Sequence, residues 1–168
     1  MLVRIGPYRK NRKLQIVIHR YDTWGMDSTL AHIIVPMLKQ LKKTKHGIPR
    51  SMLSPEYNRL TSSKKYWKES KNGPLHKKER KLFREAEARW DDILDRMIWS
   101  FDQIAREKPK EDRYFKRIGK IKWKDLPNGN SELITTGLKY DKKGHHKYLA
   151  RVQEGITLFG LHYQNLWD

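Results

Sequence analysis

Apolar residues recur along this chain with two different periods, which distinguish predicted strands from predicted helices. Near the amino terminus, Leu14, Ile16 and Ile18 stand at every second position, which is typical of a half-buried strand. A short apolar-rich run at 2–5 precedes them. The first 21 residues are therefore predicted to form a hairpin or two neighbouring strands.

Three longer segments carry apolar residues at spacings of three and four, which predict amphipathic helices with one buried stripe. The first helix is predicted over about 28–44, with Asp27 as its N-cap and a kink at Pro36. The second is predicted over about 75–107 and the third over about 145–166.

Between the second and third helices, two strands are predicted over about 114–123 and 132–140, joined by an Asn-Gly turn. The segment 48–74 is rich in Ser, Lys, Pro and Asn and poor in aliphatic residues, which predicts a long basic loop. The predicted fold is one α+β domain of 168 residues, with three amphipathic helices packed on a small antiparallel sheet.

Composition and charge limit the classes of partner that this chain is expected to bind. The chain has 37 Lys+Arg and 19 Asp+Glu, a net charge of +18, so a polyanion would relieve its self-repulsion. The absence of cysteine excludes disulfides, thiolate metal sites and thiol nucleophiles. With no apolar run of about 20 residues and no visible secretory signal, we expect a cytoplasmic protein. A membrane partner is not expected, because core packing explains the amphipathic helices better.

The segment 39–81 is the most positive part of the chain, with 14 Lys+Arg against three acids, Glu56, Glu69 and Glu79. Cations displace the counterions condensed on nucleic acids, and aromatic rings stack on unpaired bases, so a nucleic-acid interface is predicted here; the alternative is a solvated loop. Tyr57 is a further aromatic residue of the segment that could stack on an unpaired base. The candidate binding residues are Lys39, Lys42, Lys43, Lys45, Arg50, Arg59, Lys64, Lys65, Tyr66, Trp67, Lys68 and Lys71.

A second candidate surface would form if the amino-terminal strands paired with the strand at 114–123. One sheet face would then be strongly basic, with Tyr8 and Trp123 as stacking rings, although a lone strand tryptophan is more often a core residue. The candidate cations are Arg4, Arg9, Lys10, Arg12, Lys13, Lys116, Arg117, Lys120, Lys122 and Lys124.

Carboxylates and imidazoles near the first strand-to-helix junction leave a metal-dependent nuclease open as an alternative. Their spacing matches no metal motif, and capping explains Asp27 while a turn explains Asp22. We therefore predict no catalytic residue, cofactor or metal site. The residues concerned are His19, Asp22, Asp27, His32 and His46.

Two other groups of residues have a structural and a functional interpretation. Asp91 and Asp95 share a helix face at i, i+4, which predicts a basic neighbour; a catalytic acidic pair is the alternative. In the last helix, the apolar residues around Gly160, together with Tyr163 and Trp167, are expected in the core, and a homodimer seam is the alternative.

Three sequence blocks are familiar in combination. They are YDTW-x-MD-x-TLA from Tyr21, RWD-x-ILD-x-MIW-x-F from Arg89 and LFG-x-x-Y-x-x-LW from Leu158. Together they resemble a family of small, mostly uncharacterised bacteriophage proteins. The resemblance implies a phage origin, a location in the host cell cytoplasm and a relation to phage proteins that bind messenger RNA without sequence specificity; it implies no catalytic residues.

Charge and resemblance together predict a non-enzymatic, non-sequence-specific nucleic-acid-binding protein that favours single-stranded RNA over single-stranded DNA. No fingerprint of a sequence-reading module is present. The metal-dependent nuclease is one alternative. A structural or host-takeover phage protein that grips an acidic partner is the other.

Overall fold

The computed structural model describes residues 2–5, 14–69, 71–106, 113–117, 121–127, 129–135 and 137–167. Within this part of the chain there are five α-helices and six strands. The helices are α1 (Met26–Thr44), α2 (Pro55–Thr61), α3 (Lys64–Lys68), α4 (Pro74–Ile104) and α5 (Lys142–His162). The α+β class is thus confirmed, but the predicted number of helices is wrong.

The additional helices lie in the segment 48–74, which was expected to be a long loop. A 3-10 turn at Arg50–Met52 precedes α2, and α3 follows after two residues. Both short helices begin at a serine N-cap: Ser54 accepts a hydrogen bond from the amide of Tyr57, and Ser63 accepts one from the amide of Lys65. These caps explain why a segment poor in aliphatic residues is helical.

The strands form three antiparallel pairs: β1 (Leu2–Ile5) with β2 (Leu14–Val17), β3 (Phe115–Arg117) with β6 (Leu138–Tyr140), and β4 (Ile121–Asp125) with β5 (Ser131–Thr135). The β4–β5 pair lies between β3 and β6 in the chain, so the two antiparallel pairs are nested in sequence, and we call these four strands the hairpin arm. At its tip Gly129 has a φ of 79° and its amide donates to the carbonyl of Leu126, as in a turn. Asn128, the other residue of the predicted Asn-Gly turn, lies outside the described residues.

The predicted common sheet is wrong in the described residues. β1 and β2 pair only with each other, and the strand expected at 114–123 pairs within the hairpin arm. The helices likewise pack mainly on one another, with α4 lying between α1 and α5. This arrangement follows from the apolar stripe of α4, which is wide enough to cover both neighbouring helices.

The core is built where α1, α4 and α5 meet. The ring of Phe101 on α4 packs edge-on against Phe159 of α5, with centroids 5.0 Å apart, and Trp90 packs in the same way against His162 at 5.3 Å. The buried residues of this cluster are Ala31, Val35, Leu38, Trp90, Leu94, Met97 and Phe101. The predicted stripe of α4 is thereby confirmed. In the first and last helical segments the prediction holds only in part, because Leu30, Met37, Leu149 and Tyr163 stand at the predicted spacings but are exposed.

The start of α1 differs from the prediction. The helix begins at Met26 with Gly25 as its N-cap, so the assignment of Asp27 as the N-cap is wrong. Asp27 instead lies in the first turn, where its charge favours the positive end of the helix dipole. The helix continues through Pro36 to Thr44.

The close approach of α5 to α4 occurs at Gly155. A Cβ atom there would lie 2.1 Å from Ser100 Oγ and 2.7 Å from the carbonyl oxygen of Arg96, whereas a Cβ at Gly160 would meet nothing within 4 Å. Ser100 Oγ donates a hydrogen bond to the carbonyl of Arg151 across this crossing, at 3.1 Å. The glycine that the helix crossing requires is therefore Gly155. Among the described helices, none has a stretch apolar and long enough to cross a bilayer.

Candidate nucleic-acid interface

The short helix α3 rests on the beginning of α4. Tyr66 is buried, with its ring 4.2 Å from the ring of His76, and burial raises the pKa of the Tyr66 phenol. Glu69 accepts hydrogen bonds from the amides of Leu75 and His76, at 2.7 and 3.3 Å, and so caps the start of α4. The prediction that Tyr66 stacks on bases is therefore wrong, because its ring is part of the protein interior.

Trp67, the next residue, is displayed on the surface. Its side chain is 74% exposed, and its indole N–H donates to the carbonyl of Thr61 at 2.8 Å. The ring also contacts the edge of Tyr66, with centroids 5.2 Å apart. These contacts hold the ring in one place while leaving most of its surface open, which is the property that a base-stacking platform needs.

Exposed lysines lie on both sides of Trp67 along the chain. Lys64, Trp67 and Lys68 lie at spacings of three and four, and so share one face of α3. Lys65 and Lys71 are exposed as well, as are Arg50 and Arg59 before them. The predicted cations of this segment are thus placed in solvent, next to an aromatic ring.

The three acids of the segment 39–81 do not neutralise these lysines, since each is engaged elsewhere in the scaffold. Glu56 forms an ion pair of 2.6 Å with Lys78, which holds the pKa of the carboxyl below its usual range. Glu79 accepts a hydrogen bond from the hydroxyl of Tyr57, and Glu69 caps α4.

Tyr57 belongs to the scaffold too. Its ring packs against Phe83 at 6.3 Å, and burial, together with the hydrogen bond to Glu79, raises the pKa of its phenol. It is half-buried and holds α2 against α4. Tyr57 is therefore poorly placed to stack on a base.

The first turns of α4 add cations that the list of candidate binding residues omits, although all but Arg84 lie within the segment 39–81. Lys77, Arg80, Lys81 and Arg84 are exposed and line one shallow depression on the helix surface. Their spacing puts them on the side of the helix opposite the buried Ala86, and the guanidinium of Arg80 donates to the carbonyl of Lys71 at 3.2 Å. The spacing of three and four was the available signal. We call Lys64, Lys65, Trp67, Lys68, Lys71, Lys77, Arg80, Lys81 and Arg84 the α3–α4 surface.

Two predicted binding residues, Lys42 near the end of α1 and Lys45 at its C-cap, have a structural role instead. Lys42 forms an ion pair of 2.6 Å with Asp95, and Lys45 pairs with Glu87 and Asp91 at 3.3 and 3.4 Å. The expected basic neighbour of the α4 acids is thus confirmed. The side chain of Lys45 is only 10% exposed, so its assignment to the nucleic-acid interface is wrong.

These ion pairs also place α1 along a later part of α4. Glu87 lies 11 residues after His76, which corresponds to about 16 Å along a helix. Lys39 and Lys43 are exposed on α1. They therefore belong to a different part of the surface from Trp67.

We expect Lys45→Ala to lower the free energy of unfolding by about 1–2 kcal/mol, because it breaks two ion pairs at a mostly buried ammonium while both carboxylates remain partly hydrated. Thermal unfolding measures the change. The exposed Lys43→Ala serves as the control and should stay within about 0.5 kcal/mol of the unsubstituted chain. Equal losses in both variants would contradict the structural role of Lys45.

The second predicted surface is only partly formed. Lys116 and Lys124 are exposed, and Trp123 is 68% exposed, which favours stacking over the core role for this tryptophan. The side chains of Arg4, Arg117 and Lys122 are outside the described part, as are Tyr8, Arg9, Lys10, Arg12, Lys13 and Lys120. With β1–β2 separate from the arm, the expected continuous basic sheet face is wrong for the described residues.

Exposure is common among the tryptophans of this protein. Trp24, Trp67, Trp123 and Trp167 are between 68% and 81% exposed, whereas Trp90 is 2% exposed. Tryptophan is highly buried on average in folded proteins, so four exposed rings favour a role in binding.

Two of the residues considered for a metal site lie in one turn. The amide of His19 donates to Asp22 Oδ2 at 2.7 Å within a local turn, and in the described part of the chain no three His, Asp or Glu side chains form a group that could hold a metal ion. Phe159 of α5 packs in the core, but Tyr163 and Trp167, which follow the end of α5, are exposed. The expectation that these two rings lie in the core is therefore wrong. A homodimer through this helix stays a prediction.

Comparison with protein-family models, with curated proteins and with solved structures finds no match to this chain.

Proposed function

We propose that this chain is a non-enzymatic protein that binds single-stranded nucleic acid without sequence specificity, in the host cytoplasm of a bacteriophage. The observation that carries the proposal is Trp67, whose ring is 74% exposed yet held by its hydrogen bond to Thr61, with Lys64 and Lys68 on the same helix face. An exposed tryptophan ring leaves apolar area in contact with water unless it packs on a partner. An unpaired base suits this position, because the base can stack on the ring while its phosphate lies near the lysines.

The mechanism combines two contributions. Lysine and arginine side chains of the α3–α4 surface neutralise phosphates and release counterions, which gives affinity without reading bases. Trp67 stacks on a base, which favours unpaired strands because every base presents a π-face only when it is unstacked. The preference for RNA over DNA rests on the resemblance to phage proteins alone, and competition between RNA and DNA strands of one sequence tests it.

The exchange Trp67→Ala should weaken binding of a strand of about 20 nucleotides by roughly 5- to 150-fold, the range expected for the loss of one stacked base. The dependence of the affinity on salt should stay as it is, because no cation is removed. Fluorescence anisotropy of a labelled strand, recorded at several salt concentrations, measures both quantities.

Trp67→Phe is the matched control for this experiment. It also loses the hydrogen bond to Thr61 but keeps a stacking ring, so it should retain most of the affinity. If Trp67→Phe and Trp67→Ala lose affinity equally, the hydrogen bond rather than stacking is responsible, and the proposed role of the ring is wrong.

A further inference from the structure

A cleft lined by several cations lies at the base of the hairpin arm, where β3 and β6 meet the start of α5. Its walls include Arg113, Lys116, Lys139 and Lys142. In the described part of its lining Asp141 is the one acidic residue, and its carboxylate accepts a hydrogen bond from the amide of Gly144 at 2.9 Å. Among the residues that the structure describes, the lining of the cleft therefore carries four positive charges and one negative charge that is already engaged.

Two of these lysines are direct cross-strand neighbours. Lys116 stands opposite Lys139 in the antiparallel β3–β6 ladder. Like charges at such positions repel each other and destabilise a ladder. Farther along the same arm, Lys124 stands opposite Glu132, an arrangement of opposite charges that stabilises a sheet. The lysine pair is thus a local departure from the pattern that the arm follows elsewhere.

The third lysine is also placed unfavourably. Lys142 is the first residue of α5, and no acidic residue follows in the first turn of this helix, whose N-cap is Asp141. The positive end of a helix dipole favours acidic residues and disfavours cations. Two independent elements of structure therefore bring positive charge to the cleft against their own local preference, and departures of this kind are expected at functional sites.

The walls of the cleft are held in place by aromatic contacts. Phe115 and Tyr140 stack face to face, with centroids 4.8 Å apart and an angle of 6° between the rings. The hydroxyl of Tyr140 lies 2.9 Å from Nδ1 of His145, and the buried Tyr114 packs on Tyr148. The cations are thus carried by a scaffold that is formed before any ligand arrives.

We propose that this cleft binds a phosphate group with more than one negative charge, as found in a nucleoside polyphosphate or at the phosphorylated 5′ end of a nucleic-acid strand. The described lining has four cations and one engaged carboxylate, and its net positive charge is larger than the single negative charge of an internal phosphodiester. These cations match a terminal phosphate or polyphosphate, since a phosphomonoester carries about −1.5 to −2 at neutral pH. The proposal does not use the α3–α4 surface and goes beyond the function proposed above.

Calorimetric titration of the full chain with inorganic tripolyphosphate tests the cleft directly. The double exchange Lys116→Gln/Lys139→Gln should weaken binding at least about tenfold, because it removes half of the cations that line the cleft. Lys43→Gln/Lys124→Gln removes the same charge elsewhere and should change binding less than about twofold. An absence of binding by the unsubstituted chain, or equal weakening in both double variants, would overturn the proposal.

Strands with different ends separate the two sources of the phosphate. Binding is compared for a nucleoside triphosphate, a strand with a 5′-triphosphate and the same strand with a 5′-hydroxyl. If the exchange of Lys116 and Lys139 weakens binding of the triphosphate strand more than binding of the hydroxyl strand, the cleft binds a strand end. If the exchange weakens binding of the free nucleotide alone, the cleft is a nucleotide site. If the hydroxyl strand depends on these lysines as strongly as the triphosphate strand, the cleft binds internal phosphodiesters and the proposal is wrong.

The exchange Lys139→Glu should change two measurable properties in opposite directions, the stability of the β3–β6 ladder and the affinity for tripolyphosphate. It creates an opposite-charge pair across the ladder, so we expect greater protection of the β3 and β6 amides from hydrogen exchange. Tripolyphosphate binding should be lost in the same variant. A variant that loses protection and binding together would indicate that Lys139 serves only to maintain the arm, and would overturn the proposal. Trp67→Ala should leave tripolyphosphate binding unchanged, which keeps this test separate from that of the α3–α4 surface.

Discussion

Exchange of Lys64, Lys65, Lys68 and Lys71 for Gln should weaken binding of single-stranded RNA by roughly 10²-fold or more at about 100 mM salt, if each lysine neutralises one phosphate. The four ammonium groups are exposed, and the acids of the same segment are engaged with Lys78, Tyr57 and the start of α4. Their charge is therefore available to a polyanion.

The salt dependence identifies the mechanism. For single strands the logarithm of the affinity falls with the logarithm of the salt concentration by about 0.7 per neutralised phosphate. The fourfold variant should therefore have a slope about 3 units shallower than the unsubstituted chain. Anisotropy titrations between about 50 and 300 mM salt measure both slopes, and an affinity of the unsubstituted chain that does not change over this range would exclude the electrostatic mechanism.

A charge-matched variant separates local contacts from the overall charge of +18. Lys39, Lys43, Lys124 and Lys147 are exposed lysines outside the α3–α4 surface, and their exchange for Gln also removes four charges. This control should lose less than about tenfold in affinity, because only the long-range attraction decreases. If both variants weaken binding equally, the affinity comes from net charge and the α3–α4 surface is not the interface.

The sequence predicted the long helices well because each has an uninterrupted apolar stripe. α1, α4 and α5 are close to their predicted positions, and the buried face of α4 was correctly identified through Trp90, Leu94 and Met97. The segment 48–74 was misjudged because its short helices depend on caps at Ser54 and Ser63 rather than on an apolar stripe. Short capped helices leave little periodicity in a sequence.

The sequence predicted the positive charge of the candidate site, but it did not predict which of its side chains are exposed. Tyr66 and Trp67 are neighbours and looked equivalent, yet one is buried and the other is 74% exposed. Lys45 looked like its neighbour Lys43, but it lies opposite Glu87 and Asp91 once α1 packs on α4. Which member of such a pair is free depends on tertiary contacts between distant segments, and the local sequence does not contain that information.

The packing of α5 on α4 predicts that an alanine in place of Gly155 lowers the stability of the fold, whereas an alanine in place of Gly160, in the same helix, raises it. Gly155 is buried, and a Cβ there would overlap Ser100 Oγ at 2.1 Å and the backbone oxygen of Arg96 at 2.7 Å. Because Arg96 contributes a backbone atom, rotation of the Ser100 side chain cannot relieve the overlap. The helices must move apart, which also stretches the 3.1 Å hydrogen bond from Ser100 to Arg151.

Gly155→Ala should therefore lower the free energy of unfolding by about 1–3 kcal/mol, the usual cost of overpacking. In a chain of this length that corresponds to a melting temperature lower by roughly 2–12 °C. Gly160→Ala should instead raise stability by about 0.4–1 kcal/mol, because alanine has the better helix propensity and its Cβ would meet no atom within 4 Å. Calorimetric melting of the two variants measures both changes.

A combined exchange identifies the cause of the destabilisation. Ser100→Gly removes the Oγ and Cβ atoms that a Cβ at residue 155 would meet but leaves the Arg96 carbonyl in place. Added to Gly155→Ala, it should cost less than the sum of the two single exchanges, because residues in contact do not act independently. Strict additivity, or destabilisation of similar size by Gly160→Ala, would mean that the crossing of α5 over α4 does not depend on close contact at Gly155.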